Sequence, residues 1–485
     1  MSSTGVAEAE RVGSEARRPD AVFRQRRKTR QILVALWLAL LAETVAFAFI
    51  QPVWSRVDEA QHFDYIQSLA QKRSLPVEGK SFISPTVVNI SIQTQQWGWA
   101  PAGTMSTPAV LDPSRWLTIP AGLDSRNQDK WVQRNLWYFN YEAMQPPLYY
   151  AINPPLYAAL PADPFIKLYG MRLLAALMAS AMLPLTYLTA REAFPDSRLV
   201  MLGAPVVMLL TQGYALNMSQ VSNDALAVPM GAAALLLLLR MVGRGLTWKR
   251  SVTTGAVIGA ALLAKLTSLF LLPVAAVALV LVVIYKREPV RRALIHGAII
   301  LAPVALMVAP WMVCNIFLYG DPTGASAARP LMSAFFASPL VSLQTLRLNE
   351  LLPTYWFGEP VFPFAFWTNA WVVVLPAMVV AGAGLLFYLA QGRRSQVKDV
   401  QVRVMFLLVA FFVGVASNLL MPFGSGIGGV PGRYLYPLLP AAAFLLMFGI
   451  DRLLRRERAQ FLSELFLVWM VLWESLNFLA YIRNR

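Results

Sequence analysis

Residues 31–69 read Q-I-L-V-A-L-W-L-A-L-L-A-E-T-V-A-F-A-F-I-Q-P-V-W-S-R-V-D-E-A-Q-H-F-D-Y-I-Q-S-L, and the reading of this stretch decides the fold class. Its first part, Gln31 to Val53, is apolar over a length that suffices to cross a bilayer as a helix, which takes about 20 residues. It is too long for the apolar core of a signal peptide, and no small-residue cleavage motif follows it. It closes at Gln51-Pro52-Val53-Trp54, where the proline stops a helix and the tryptophan suits a membrane interface. Beyond it the chain turns polar at once. Asp58 and Glu59 stand side by side, and His62 follows one helical turn later. Outside the apolar segments, no other place in the sequence brings an acid pair and an imidazole so close.

The rest of the chain repeats the apolar signal. Of its 485 residues 57% are hydrophobic and 14% charged, against about 25% charged in soluble domains, and the mean hydropathy is +0.52. The fold class is therefore an all-α membrane protein, integral to the cell (plasma) membrane. The net charge of +16 does not indicate nucleic acid. The basic residues sit in short loops between apolar runs, where the positive-inside rule places them on the cytoplasmic face. The single cysteine, Cys314, excludes a disulfide framework and a cysteine metal site, and two histidines exclude a multi-histidine zinc cluster.

Residues 1–30 form a basic tail, with Arg24, Arg26, Arg27, Lys28 and Arg30 before the membrane, expected to be cytoplasmic and disordered. Residues 31–485 are the transmembrane domain. After the first span, hydropathy places others near 169–190, 199–215, 225–242, 251–265, 267–285, 293–316, 369–391, 404–421, 434–450 and 461–481, about 11 in all. Residues 54–167 are then a large extracytoplasmic loop and residues 317–368 a second. Tyr141 to Tyr157, rich in tyrosine and proline, reads as an interfacial helix pair rather than a span. The basic runs 191–198, 240–250, 286–292, 393–403 and 452–458 all fall on the side of the N-terminal tail. The polar, potentially reactive groups collect on the opposite side. No internal repeat of the transporter kind is visible.

Taken as a helix at about 100° per residue, the stretch after Trp54 sets Asp58, His62, Tyr65 and Leu69 along one face. Glu59, Phe63, Ile66 and Ala70 form a neighbouring, mostly apolar face. Such a helix is expected to lie along the membrane surface with its first-turn carboxylates at the mouth of the bundle. Asp58 and Glu59 are the catalytic candidates, Asp58 as the general base that takes a proton from a hydroxyl and Glu59, on the apolar side, as a second acid that acts with it or orients the site. The plainer alternative is that Asp58 caps its helix. Asp58, Glu59 and His62 could also hold a divalent metal ion, the one cofactor the sequence suggests. In the second segment, Glu142, Gln145 and Tyr149 surround a rigid Pro146-Pro147 and are substrate-binding candidates; Glu142 is alternatively a second carboxylate near Asp58, or a merely solvated anchor residue. Arg433 stands at the outer membrane edge, where positive-inside statistics do not favour it, beside Tyr434. It is the first candidate for clamping a phosphate, with Lys265 and Arg329 behind it. Ser222-Asn223-Asp224 reads as a helix cap or a further polar group of the outer face. Glu43 is an acid inside the first span, and His296 reads as interfacial.

These residues together resemble the GT-C superfamily of polytopic glycosyltransferases, in particular bacterial relatives of the dolichyl-phosphate-mannose protein mannosyltransferases and aminoarabinose transferases. The carrying motifs are the acid pair after the first span with a following His and Tyr (Asp58, Glu59, His62, Tyr65), the Glu142…Pro146-Pro147-Leu148-Tyr149-Tyr150 segment, and Gly432-Arg433-Tyr434 with Pro437. The resemblance runs from about Gln31 to Ile450. It implies a GT-C fold and transfer of a sugar, with inversion, from a polyprenyl-phosphate donor to a glycan, lipid or protein acceptor of the cell envelope. Asp58 would be the base, Arg433, Lys265 and Arg329 the phosphate partners, and His62, Tyr65, Glu142, Gln145, Tyr149 and Tyr434 the substrate contacts. The membrane lipids are the remaining partner. The rival from another class is a transporter or lipid flippase with Glu43, Lys265 and Asn217 along its path.

Overall fold

The computed structural model describes residues 4–55, 58–96, 139–324, 348–357, 370–391, 398–425 and 432–453, with scattered positions between 461 and 475. Regular structure among them is helical throughout, and the one β-type contact is an isolated bridge between Phe82 and Phe139. Seven helical segments are long and apolar enough to cross a membrane: Arg24–Ile50, Pro164–Ala193, Asp224–Arg244, Leu266–Lys286, Val290–Tyr319, Asp399–Ser417 and Gly432–Leu453. An eighth is broken, with Arg198–Leu209 and Gln212–Met218 meeting at 52°.

Among the described residues this accounts for seven or eight of the about 11 expected spans. The helix Trp248–Ala264 has 17 residues and so rises only about 26 Å, short of a hydrocarbon core of about 30 Å. It ends where Lys265 turns extended and a 3-10 turn, Leu266–Phe270, starts the next span. A helix over Ala370–Gln391 occupies the expected 369–391 position. The last expected span, 461–481, lies largely outside the described residues, as does Arg329.

The helix Asp224–Arg244 is the axis of the bundle. Between its first turn and Arg240 it is apolar on every side, so it has no polar face to turn outward and is buried among its neighbours. Elsewhere small residues let backbones touch. A Cβ on Gly449 would collide with the Ala381 carbonyl, which brings helix Leu439–Leu453 onto helix Ala370–Gln391. The outer belt is apolar, with Leu294, Leu306, Phe317 and Leu386 exposed as lipid-facing side chains.

Two expectations need correction. The acidic helix, Glu59–Lys72, does not lie on a surface: Glu59 through Ser68 are all buried. Two short helices, Leu148–Ile152 and Pro154–Ala159, pack on it in place of an interfacial lipid layer. Its polar groups tolerate burial because they are bonded internally. Asp64 accepts from Ser84 N at 2.8 Å and Asn140 Nδ2 at 2.9 Å. The basic tail, expected to be disordered, continues the first helix, which runs Thr4–Ile50. Alanine, glutamate and arginine, all strong helix formers, fill its first turns. His296 is buried, with Nδ1 2.8 Å from Ser251 Oγ.

Candidate active site

Asp58 sits at the N-cap of the acidic helix, yet its side chain makes no capping bond. It accepts instead from Tyr141 Oη at 3.0 Å and from Arg433 Nη2 at 3.3 Å. Asp58 and Arg433 are 375 positions apart in sequence. Gly432 makes the approach of Arg433 possible. Any side chain there would strike the backbone of Tyr355, and the Gly432 N–H donates to Thr354 Oγ1 at 2.9 Å.

Glu59, the adjacent acid, faces away from this group. Arg172 grips it with two parallel bonds, Nε to Oε1 at 2.7 Å and Nη2 to Oε2 at 2.6 Å. The amides of Trp54 and Val221 complete its shell, each at 3.2 Å. The other Arg172 donors reach the carbonyls of Ala48, Gln51 and Pro52 at the end of the first helix. Both side chains are fully buried and mutually saturated. Glu59 is thus neither positioned to act with Asp58 nor available as a metal ligand, which corrects both expectations. Arg172 itself was overlooked in the sequence, although a charged residue inside an apolar run is a signal on its own.

The place expected for Glu59 beside Asp58 and His62 is taken by Glu142. Ligand atoms of Asp58, His62 and Glu142 all lie within 4.8 Å of one another. The loop carrying Glu142 is pinned by Asn140, whose Nδ2 donates to Asp64 and to the Gln61 carbonyl and whose Oδ1 accepts from Glu142 N at 3.1 Å. Oε2 of Glu142 is buried without a hydrogen bond. Burial, with the charge of Asp58 adding to it, pushes the Glu142 carboxyl up to about 8. His62 is also buried, and desolvation brings its imidazole down to about 4, so the ring is neutral at pH 7. Its Nδ1 is 2.7 Å from Tyr150 Oη. An oxygen–nitrogen–oxygen set with an orphaned carboxylate oxygen fits a divalent cation.

Aromatic rings form one wall. Tyr65 and Tyr150 stack with centroids 3.8 Å apart and planes 7° from parallel, and Tyr149 meets Tyr150 edge-on at 5.4 Å. Tyr65 Oη donates to the Gln145 carbonyl at 3.4 Å. The Gln145 side chain accepts from Asn223 Nδ2 at 3.4 Å. Lys265 bonds Asp224 at 2.7 Å, so the Ser222-Asn223-Asp224 segment gives the site a buried ion pair rather than a simple cap. Tyr434 lies between the two cations, its ring centroid 5.4 Å from Lys265 Nζ and 5.5 Å from the Arg433 guanidinium carbon. Glu78 belongs to the same outer loop and went unnoticed in the sequence. It is buried with neither carboxylate oxygen hydrogen-bonded. Burial pushes it well above the usual range, and the nearby charge of Glu142 adds to the shift. Of the residues named for a transport path, Asn217 bonds Tyr436 at 3.3 Å and Lys265 is paired with Asp224.

Comparison with known proteins agrees with the fold expectation. A family model described as a predicted membrane protein, DUF2142, matches residues 41–442. No curated protein sequence matches. The structure of ArnT from Cupriavidus metallidurans bound to undecaprenyl phosphate superposes with a TM-score of 0.51 at 13% identity, over 89% of this chain and 62% of that one. The apo oligosaccharyltransferase of Archaeoglobus fulgidus gives a TM-score of 0.49 at 10% identity, over 91% and 54% respectively. The chain therefore spans about three fifths of the length of the first structure and about half of the second. At this identity the likeness to ArnT shows the fold, and the fold is GT-C.

Proposed function

The chain belongs to the DUF2142 family of predicted membrane proteins, and from that premise we propose that it is a glycosyltransferase working on the extracytoplasmic face of the cell membrane. It takes a sugar from a polyprenyl-phosphate donor and passes it to a hydroxyl of a glycan, lipid or protein of the envelope. The observation that carries this reading is the pairing of Asp58 with Arg433 from opposite ends of the chain. It joins a carboxylate that can accept a proton to a guanidinium that can hold a phosphate. The polyprenyl phosphate bound in the ArnT structure, which shares this fold, supports the donor class.

The donor phosphate takes Arg433 from Asp58. Both side chains are partly exposed, so the exchange gives up an interaction of about 1 kcal/mol or less. Asp58, released, accepts the proton of the acceptor hydroxyl. The acceptor oxygen bonds to the anomeric carbon while the bond from that carbon to the phosphate oxygen breaks, and the lipid phosphate leaves on Arg433. Attack opposite the leaving group inverts the anomeric centre. Lys265, held at Asp224, supplies positive potential behind Tyr434 rather than a free fork. With no cation bound, Glu142 is protonated below about 8 and donates to a sugar oxygen rather than acting as the base; a bound cation would instead take it as a carboxylate ligand. His62, Tyr65, Gln145 and Tyr149 shape the sugar side. Asp58, His62 and Glu142 would hold a divalent cation, which would supply charge neutralisation for the leaving phosphate.

The direct test is mass spectrometry of lipid retained by the purified protein, joined to transfer assays with polyprenyl-phosphate sugars and envelope extracts. Retention of a polyprenyl-phosphate sugar and its turnover are expected. A protein that retains none and transfers from none would overturn the reading. Full activity in Asp58→Asn would remove the base assignment alone.

A further inference from the structure

A cavity of about 520 Å³ opens between the helices Met182–Ala193, Asp224–Arg244 and Lys398–Ser425, lined by Leu188, Arg191, Glu192, Pro195, Arg240, Arg244 and Arg403. It has no part in the chemistry above. Asp224 and Arg240 stand on one helix at positions that separate them by about 24 Å along its axis. The cavity is therefore at the other end of the bundle from Asp58.

Its charge is lopsided, with four arginines against one glutamate. Arg244 spends its fork on Glu192, through Nε at 2.8 Å and a second, shorter bond from Nη2. Arg403 donates Nη1 to the Glu192 carbonyl oxygen at 2.9 Å. Arg240 only approaches the Glu192 carboxylate, at 3.6 Å. The Nε atoms of Arg240 and Arg403 are buried and have no hydrogen-bond partner among the described residues. Leaving such donors desolvated and unmet is unfavourable. Gly243 adds a second sign of a built site: a Cβ there would sit 2.7 Å from Arg403 Nε, so the missing side chain makes room for the guanidinium.

We propose that this cavity binds a phosphate group, held between the guanidinium of Arg240 and the donors of Arg403 that Glu192 does not take. A phosphate offers several acceptor oxygens and can take two guanidinium forks at once. The one carboxylate of the cavity, Glu192, already occupies Arg244. The volume exceeds that of a bare phosphate and falls in the range of small-ligand pockets, about 300–1,000 Å³. It therefore leaves room for the group that a phosphate ester carries, against Leu188 and Pro195. An anionic phospholipid headgroup and a soluble phosphate offer the same chemistry to these arginines.

The test uses the full-length protein in two arms. In one, native mass spectrometry compares lipid retention from nanodiscs of phosphatidylcholine alone and of phosphatidylcholine with phosphatidylglycerol. In the other, inorganic phosphate is titrated into detergent-solubilised protein and the melting temperature is followed. Saturable binding in either arm supports the proposal, and the arm that responds identifies the source. Arg240→Gln is expected to weaken binding about tenfold or more. Lys249→Gln, at an exposed position near the same end of the bundle, is expected to leave it unchanged. Because Arg240 makes no hydrogen bond among the described residues and only a 3.6 Å approach to Glu192, its loss is not expected to unfold the protein. Arg240→Lys, which keeps the charge without the fork, is the second variant and should still weaken binding several-fold. Failure of both probes to bind the wild type would overturn the proposal. So would equal effects of the Arg240 variants and Lys249→Gln.

Discussion

Two neighbouring carboxylates, Asp58 and Glu59, end in opposite environments. Glu59 is sealed against Arg172 with every oxygen bonded and no solvent access. Asp58 keeps 27% of its side chain exposed and meets Arg433 through one long contact of 3.3 Å. Both acids have an arginine partner, so the presence of an ion pair does not tell them apart. What differs is the cost of exchange. Separating a buried, saturated pair leaves a desolvated charge behind, whereas a half-exposed pair gives way to water or to an incoming anion. The first pair is an anchor that ties the first helix, the acidic helix and the helix Pro164–Ala179 together. The second is a pair that an incoming anion can open, as the proposed function requires.

The comparison is broken most directly at the anchor. Arg172→Ala should cost about 3–5 kcal/mol of stability, read as a much lower melting temperature and loss of monodisperse protein. A variant that is both stable and active would show that the pair is not an anchor. Next, Asp58→Asn should lower transfer from a polyprenyl-phosphate sugar by about 10²–10⁴-fold while the melting temperature moves little, the reverse of the pattern at Arg172. Arg433→Gln sharpens the contrast further. It should raise the donor KM about tenfold or more, with a smaller change in kcat, as expected for a group that holds the phosphate. A purely structural role would lower stability instead.

The smallest effect belongs to Glu78. Its folded-state pKa is raised by burial above the ordinary value of 4.5. The protonated form is thus favoured by folding, and its contribution, complete below about 4.5, is lost as pH rises through the raised value. The melting temperature should decline over that window in the wild type and decline less in Glu78→Gln. Parallel curves for the two proteins would show that Glu78 is not the titrating group.

Much of this architecture is legible in the chain. The apolar runs mark the bundle, and the polar stretches holding Asp58, Glu142 and Arg433 are recognisable because each interrupts the apolar pattern with chemistry. Lys265 is visible for the same reason, as a charge joining two short apolar runs. What could not be read was partnership. The helical wheel sets Asp58 and Glu59 on adjoining faces of one helix but does not say which face meets Arg172, 113 positions away. The surface placement of that helix failed for a related reason. Its composition is amphipathic, but Asp64, His62 and Gln67 find internal partners that replace water.

The sequence by itself determined an all-helical membrane protein and the short segments able to carry a reactive site, because hydropathy and helical period are local properties recorded residue by residue. Only the tertiary structure decided that Glu59 is sealed against Arg172, that Glu142 lies with Asp58 and His62, and that Arg433 reaches Asp58. Those outcomes depend on which charges the packed chain desolvates together, and desolvation is a property of the whole fold rather than of any one stretch.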